Sequence, residues 1–166
     1  VNAEVVKVVY STFYNNRSMG SWGVGGAIYN NAGKLTLVNS TIVGNEAKMG
    51  GGIYHELGSP WFISLENTIV AGNTADLGAD IYVYNENKII KTSGHNLIGD
   101  NSSVSKWFAE GELVGSAANP VDPMLGAFAD NGGPTYTMLP LAGSPLINNG
   151  ILDDNSPSLD QRGMAR

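Results

Sequence analysis

The sequence contains no cysteine, few charged residues and no long hydrophobic run. The absence of cysteine excludes disulfides, thiolate chemistry and cysteine-based zinc sites. No apolar stretch approaches the ~20 residues that a membrane-spanning helix needs, and Val1 does not begin a secretory signal. The 9 Lys and Arg residues form no cluster, so we expect no nucleic-acid-binding surface and no membrane span in this segment.

Charge is scarce, whereas glycine is abundant. Charged residues make up 14% of the chain, which is well below the average of about 25% in soluble domains. The 22 glycines among 166 residues are nearly twice the usual share, and the formal net charge is −6. This composition is typical of chains with many short strands and tight turns, and the length fits one domain.

Separate sequence blocks recur with a nearly constant spacing. Residues 39–45 align with 67–73 at an offset of 28, and the same offset brings 50–54 onto 78–82. Residues 11–16 match the first block at an offset of 29. Internal repeats with periods of 20–50 residues indicate stacked architectures, so we expect successive turns of the chain to lie one above another.

Within each repeat, apolar residues alternate with polar or smaller ones, which predicts short strands rather than helices. Three inward-facing ranks follow from the alignment: Val6, Val8, Leu35, Leu37, Ile63 and Leu65; Phe13, Ile42 and Val70; and Ile28, Ile53 and Ile81. We therefore predict an all-β parallel β-helix, a solenoid of about three to four coils over residues 1–100. Its coils would stack about 4.8 Å apart.

Asparagine recurs at one corner of the predicted coils. Asn16, Asn45 and Asn73 hold equivalent positions, and we align Asp100 with them as a fourth member of a structural turn ladder. Asparagine tolerates the left-handed backbone conformation that sharp corners need. Stacked side-chain amides can also hydrogen-bond along the axis.

Tyrosines follow the inward isoleucines of the third rank. Alternation points Tyr29, Tyr54 and Tyr82 outward, where they form a surface ladder. Such a ladder is either a platform on which carbohydrate stacks or a cross-strand stack that supports the sheet. The second interpretation is favoured.

The two ends of the chain differ from the repeats. Residues 101–166 are rich in proline and glycine pairs and are predicted to form an irregular C-terminal cap, with short strands around 124–128 and 135–139. At the other end, residues 4–10 already read as a strand with no cap before them. We therefore expect a truncated or processed piece of a longer solenoid, or end-to-end self-association through the N-terminal coil.

Several motifs resemble known families. Phe13-Tyr14-Asn15-Asn16 and Gly25-Gly26-Ala27-Ile28 resemble the paired repeats of polymorphic outer-membrane proteins, which belong to the right-handed parallel β-helix proteins of the pectate-lyase-like superfold. The tail is similar to that of bacterial surface proteins labelled choice-of-anchor domain proteins, through residues 94–100, 122–126, 130–135, 139–145 and 160–163. The resemblance implies a right-handed β-helix and a secreted or cell-surface location.

The superfold also includes polysaccharide lyases, with acidic Ca²⁺ ligands and a basic residue, and hydrolases that use paired carboxylates. The acids of the repeat region do not align into a cluster, since Glu46 falls opposite Thr74 and Asp80 opposite Gly52. We therefore assign no catalytic residue. Asp153 and Asp154 form an oxygen-rich loop that could hold Ca²⁺, although a solvated turn is favoured. No other cofactor is expected.

The sequence thus favours a non-catalytic scaffold or adhesive module, with a carbohydrate-active enzyme segment as the alternative. The loops and stacked faces would bind a glycan, a surface protein or another copy of the chain. The candidate binding residues are Tyr29, Tyr54, Tyr82, Arg17, Trp22 and His55. In the tail, Arg162 is expected to form a buried ion pair that pins the C-terminal residues; no carboxylate partner is evident for Arg17.

Overall fold

The computed structural model describes residues 5–56, 62–84, 90–104, 108, 112–151 and 158–165. This part of the chain is all-β and contains no helix, and therefore none that could cross a membrane. Its twelve strands are β1 (Val5–Val9), β2 (Thr12–Tyr14), β3 (Ile28–Asn30), β4 (Lys34–Val38), β5 (Thr41–Val43), β6 (Ile53–His55), β7 (Ile63–Glu66), β8 (Ile69–Ala71), β9 (Ile81–Val83), β10 (Ile90–Thr92), β11 (Leu97–Ile98) and β12 (Leu113–Val114).

The strands form three parallel sheets, which the chain visits in rotation from β1 to β11; β12 then pairs with β11 in the second sheet. The first sheet has the order β1-β4-β7-β10, the second β12-β11-β8-β5-β2 and the third β3-β6-β9. Three consecutive strands make one circuit, so β1–β3, β4–β6 and β7–β9 are circuits one to three. Each strand pairs with the equivalent strand of the next circuit, which keeps the backbone hydrogen bonds between circuits.

Like residues superpose between circuits. Ile28 pairs with Ile53 and Ile53 with Ile81, which confirms the predicted alignment of the third rank. The first and second ranks also pair as predicted, and their central members are fully buried in one hydrophobic core. Burial of each such side chain stabilises the fold by about 1.5–3 kcal/mol.

Glycine makes the corner before the third sheet possible. Gly25, Gly50 and Gly78 have φ values of 61°, 63° and 59° at equivalent positions. A Cβ atom at Gly50 would lie 2.4 Å from the carbonyl oxygen of Ile53. The recurrent glycines therefore satisfy both a left-handed backbone and a close approach of the chain to itself.

The C-terminal segment, of which the structure describes residues 121–151 and 158–165, packs against the second sheet. Its residues Val121, Leu125, Met138 and Leu146 pack on the outward side of the second sheet, beside Ala71, Leu97 and Ile69. Among the described residues after the repeats, Val104 is buried in the interior core, and Phe108 and Val114 pack against it. The outward residues of the second sheet are apolar, and the C-terminal segment covers them from the side; that residues 101–166 cap the end of the coils stays a prediction.

The first circuit is more open than the later ones. Val5 and Val6 of β1 are 62% and 55% exposed. The interior residues Val8, Phe13 and Ile28 are partly buried, whereas their counterparts in later circuits are fully buried. The apolar interior thus reaches solvent at this end of the described chain.

Candidate functional site

A column of four residues with left-handed backbone marks the corner between the first and second sheets. Tyr10, Asn39, Asn67 and His95 have φ values of 48°, 51°, 45° and 58°. They follow the equivalent strands β1, β4, β7 and β10, with spacings of 29, 28 and 28 residues. We call these four residues the corner column.

The corner column holds the C-terminal segment at two levels. The side-chain oxygen of Asn67 accepts a hydrogen bond from the backbone amide of Ile151, and its Nδ2 donates to the Ile151 carbonyl oxygen, both at 3.0 Å. One level further on, Nδ1 of His95 lies 2.8 Å from the carbonyl oxygen of Asn149. Asn67 therefore binds one main-chain residue through both of its polar groups.

A lateral groove runs between the corner column and the C-terminal segment. It consists of two adjoining cavities of about 270 and 630 Å³, and the larger has the volume of an ordinary ligand site. Residues lining both cavities are Asn39, Asn67, Ile69, Pro140, Asp160 and Arg162. The groove thus combines an aliphatic floor with amide, carboxylate and guanidinium groups.

Asn39 lines both cavities and carries an unsatisfied amide. Both Oδ1 and Nδ2 are buried, and neither has a hydrogen-bond partner among the described residues. A buried polar group without a partner costs about 1–3 kcal/mol, and such groups are rare in native structures. The fold alone does not account for this amide.

Asp160 and Arg162 form a compact ion pair at the rim of the groove. The Arg162 Nε and Nη2 atoms donate to Asp160 Oδ2 at 2.8 and 2.6 Å. Burial alone would raise the pKa of Asp160, but the hydrogen bonds from Arg162 and from the backbone of Met164, with the Arg162 charge, lower it. The pair joins residues two apart and is about a quarter exposed, so it shapes the tail locally and does not pin it as predicted.

The tail is attached instead through Gln161. Its Oε1 accepts a hydrogen bond from the Thr12 hydroxyl at 2.9 Å, and its Nε2 donates to the Thr135 hydroxyl at 3.0 Å. Phe128 adds an aromatic contact with Tyr14, with ring centroids 5.1 Å apart. Both contacts reach β2, so the C-terminal segment extends back to the first circuit.

The predicted tyrosine ladder lies on the third sheet. Tyr54 stands between Tyr29 and Tyr82, with ring centroids 5.6 and 5.5 Å away, and is 5% exposed. The neighbouring rings therefore cover both faces of Tyr54, so its ring offers no face to a sugar. The Tyr29 hydroxyl donates to the Glu56 carboxylate, and this bond, with burial and the Glu56 charge, raises the pKa of Tyr29 to about 12.

His55 lies in the interior, and this corrects its expected surface role. It is 0% exposed, and the side-chain nitrogen of Asn30 lies 2.8 Å from its Nδ1. Because side chains alternate along a strand, a residue that follows outward Tyr54 points inward with Ile53. The ring is therefore unavailable to a partner at the surface.

The two loop candidates remain at the surface. Arg17 forms an ion pair with Glu46 at 2.8 Å, with both side chains about half exposed. This partner was missed, although the offset of 29 residues places Glu46 beside Arg17 in the next circuit. Trp22 is 83% exposed, and the lateral groove includes neither residue.

The asparagine ladder ends on a residue other than the one predicted. Asn16 Nδ2 donates to Asn45 Oδ1 at 2.8 Å, and Asn45 Nδ2 donates to Asn73 Oδ1 at 2.9 Å. Asn73 Nδ2 then donates at 2.8 Å to Asp80, not to Asp100. Asp100 contributes only its backbone amide, 2.6 Å from the second Asp80 oxygen.

Asp80 is a buried carboxyl group, 1% exposed. Burial raises its pKa to about 6, against the opposing effect of hydrogen bonds from Asn73 and Asp100. A carboxylate accepts hydrogen bonds without donating any, and therefore it suits the end of a ladder that needs one last acceptor.

Asp153 and Asp154, which form the expected cation loop, lie outside the described residues. Among the described residues, no group of three or more His, Asp or Glu side chains could hold a metal ion.

Sequence reasoning missed the lateral groove. The even spacing of Tyr10, Asn39, Asn67 and His95 was an available signal for the corner column. The other wall comes from the non-repeating tail, whose path carries no periodic signal. Comparisons with protein-family models, curated proteins and solved structures return no match.

Proposed function

We propose that this chain is a non-catalytic binding scaffold that works outside the cell or at its surface, and that it holds a partner in the lateral groove. The observation that carries the proposal is the buried, unsatisfied amide of Asn39, a residue that lines a cavity of ligand size. A stacked framework holds such a site rigidly, which lowers the entropic cost of binding.

The proposal includes a right-handed parallel β-helix as the architecture. Parallel strands that return to one sheet need crossover connections, and these are right-handed in the great majority of proteins. The three sheets and their rotating strand order supply the parallel framework. The tail motifs that resemble those of bacterial surface proteins support the location.

Two binding experiments in parallel and one activity assay test this function. The purified chain is applied to a glycan array and to a displayed library of random linear peptides, and its action on soluble polysaccharides is followed by release of reducing or unsaturated ends. We expect binding in at least one of the two formats and no release of ends. Release of such ends would contradict the proposal, as would the absence of binding in both formats.

A further inference from the structure

We propose that the lateral groove takes an extended polypeptide segment of a partner protein, and that Asn39 binds its main chain as Asn67 binds Ile151. This inference rests on the proposed binding function and names the chemical class of its ligand. It starts from a contact within the molecule itself, where an asparagine of the corner column pairs with both polar groups of one main-chain residue.

Asn39 and Asn67 are equivalent positions in adjacent circuits. Val38 pairs with Glu66 immediately before them, and their φ values are 51° and 45°. Adjacent strands lie about 4.8 Å apart, so Asn39 stands one strand spacing from Asn67. The same backbone conformation therefore presents the same side chain, one level closer to the first circuit.

The unsatisfied groups of Asn39 match a peptide group. The amide offers one acceptor oxygen and a donor nitrogen, both without a partner among the described residues. A residue of an extended chain supplies one N–H donor and one C=O acceptor. Because both atoms are closed to solvent, binding requires the Asn39 side chain to turn toward the groove. Asn67 shows the pairing that would then form, with both distances to Ile151 at 3.0 Å.

The rest of the groove suits side chains of a peptide. Ile69 and Pro140 line both cavities and Leu146 lines the larger one, so the apolar lining is mainly aliphatic. Tyr10 is the one Phe, Tyr or Trp residue among the described lining residues, and it lies in the smaller cavity. Peptide recognition of this kind takes affinity from main-chain hydrogen bonds and specificity from pockets. A saccharide would instead favour exposed aromatic faces.

Charge contributes little to the recognition that we propose. Asp160 and Arg162 at the rim are bonded to each other at 2.6 Å, so their charges largely cancel. Partner segments should therefore be selected by their extended main chain and apolar side chains, with weak dependence on salt.

A displayed library of random linear peptides tests the inference on the whole chain. Sequences enriched on the natural chain are synthesised, and their affinities are measured for that chain, Asn39→Gly and Asn15→Gly. Glycine removes the amide and still accepts a positive φ. Asn15 is the matched control because its φ is 56° and it lies outside the groove lining. We expect Asn39→Gly to weaken binding about tenfold or more, and Asn15→Gly to change it less than twofold.

The side-chain amide of Asn39 supplies a direct readout. In NMR spectra of the ¹⁵N-labelled chain, the two proton signals of the Asn39 side-chain amide are identified by their absence from the Asn39→Gly spectrum. These two signals should shift when the selected peptide is added to the natural chain. If Asn39→Gly does not fold, Asn39→Asp replaces it, since it keeps the size and loses the donor. Equal affinity in all variants would overturn the inference. Binding on the glycan array alone would overturn it too, while leaving the proposed function in place.

Discussion

Asn45 is buried at the centre of the ladder, where its amide both donates and accepts. Its oxygen accepts from the backbone and side chain of Asn16, and its nitrogen donates to Asn73 and to the carbonyl oxygens of Phe13 and Val43. Backbone hydrogen bonds also join the circuits at this corner, from the amide of Thr74 to the carbonyl oxygen of Asn45 at 2.8 Å. The side-chain ladder therefore adds a second set of hydrogen bonds between the same circuits.

Asn45→Ala should destabilise the fold strongly, because it leaves buried donors and acceptors without partners in two circuits. We expect the free energy of unfolding to fall by about 3 kcal/mol or more. Urea denaturation measures the change, with Asn31→Ala at an exposed turn as the control. A loss below about 1 kcal/mol would mean that water replaces the ladder at little cost.

The buried carboxyl group of Asp80 makes a contribution to the stability of the fold that decreases as the pH rises. Its pKa is about 6 in the folded chain, above the ordinary value of 3.8. The folded state therefore binds a proton more readily, so the contribution is fully present below pH 3.8 and is lost as the pH rises through 6.

Asp80→Asn should remove this dependence. The unfolding free energy of the natural chain minus that of the variant should fall by about 2 kcal/mol between pH 4 and pH 7. Urea titrations at several pH values give this difference, in which the effects of other groups cancel. Asp76→Asn, at an exposed position, is the control variant. A rise of the difference for Asp80→Asn would mean that the hydrogen bonds from Asn73 and Asp100 outweigh burial.

At the scale of strands, the columns of like residues differ mainly in how deeply each circuit is covered. Ile53 and Ile81 are fully buried in the third sheet, whereas Ile28 of the first circuit is only partly buried. The same substitution, made separately at different positions of this column, therefore compares how tightly each circuit is packed.

Ile53→Ala should cost about 2–5 kcal/mol of stability, since it leaves a cavity between two neighbouring circuits. Ile28→Ala should cost clearly less, because its site is open on one side and loses less buried area. Thermal or urea unfolding of both variants checks the order. Equal losses would indicate that the first circuit is as tightly covered as the second.

Much of the framework could be predicted from sequence, because the aligned repeat blocks indicate which residues stack. Ile53 and Ile81 pair as the offset of 28 requires, and Ile28 pairs with Ile53 at a spacing of 25, as the match of the glycines and the Ile-Tyr pair in their two blocks requires. The position of Asp80 was harder to predict: as the neighbour of inward Ile81 it should point outward, but alternation fails at a corner and its side chain turns in. His55 was predictable from the same alternation. The lateral groove was not predictable, because its second wall is the C-terminal segment, which long-range packing places there and no periodic pattern indicates.

At the scale of the whole molecule, the C-terminal segment changes how the circuits depend on one another. In stacked repeats each unit contacts only its neighbours, so stability is close to a sum of local terms. Here one segment packs on Leu97 of β11 and reaches Thr12 of β2 through Gln161. The first and last circuits are therefore coupled through a shared cover, and we expect them to open together.

Thr12→Val tests this coupling, because it keeps the shape of the side chain and removes its hydrogen bond to Gln161. A net loss of about 1 kcal/mol should raise local opening roughly fivefold. Hydrogen–deuterium exchange should therefore accelerate in β2 and in residues 158–165, and also in β11 if the cover transmits the change. Thr36→Val on the first sheet, outside the groove lining, is the matched control. Faster exchange confined to β2 would show that the circuits open independently despite the cover they share.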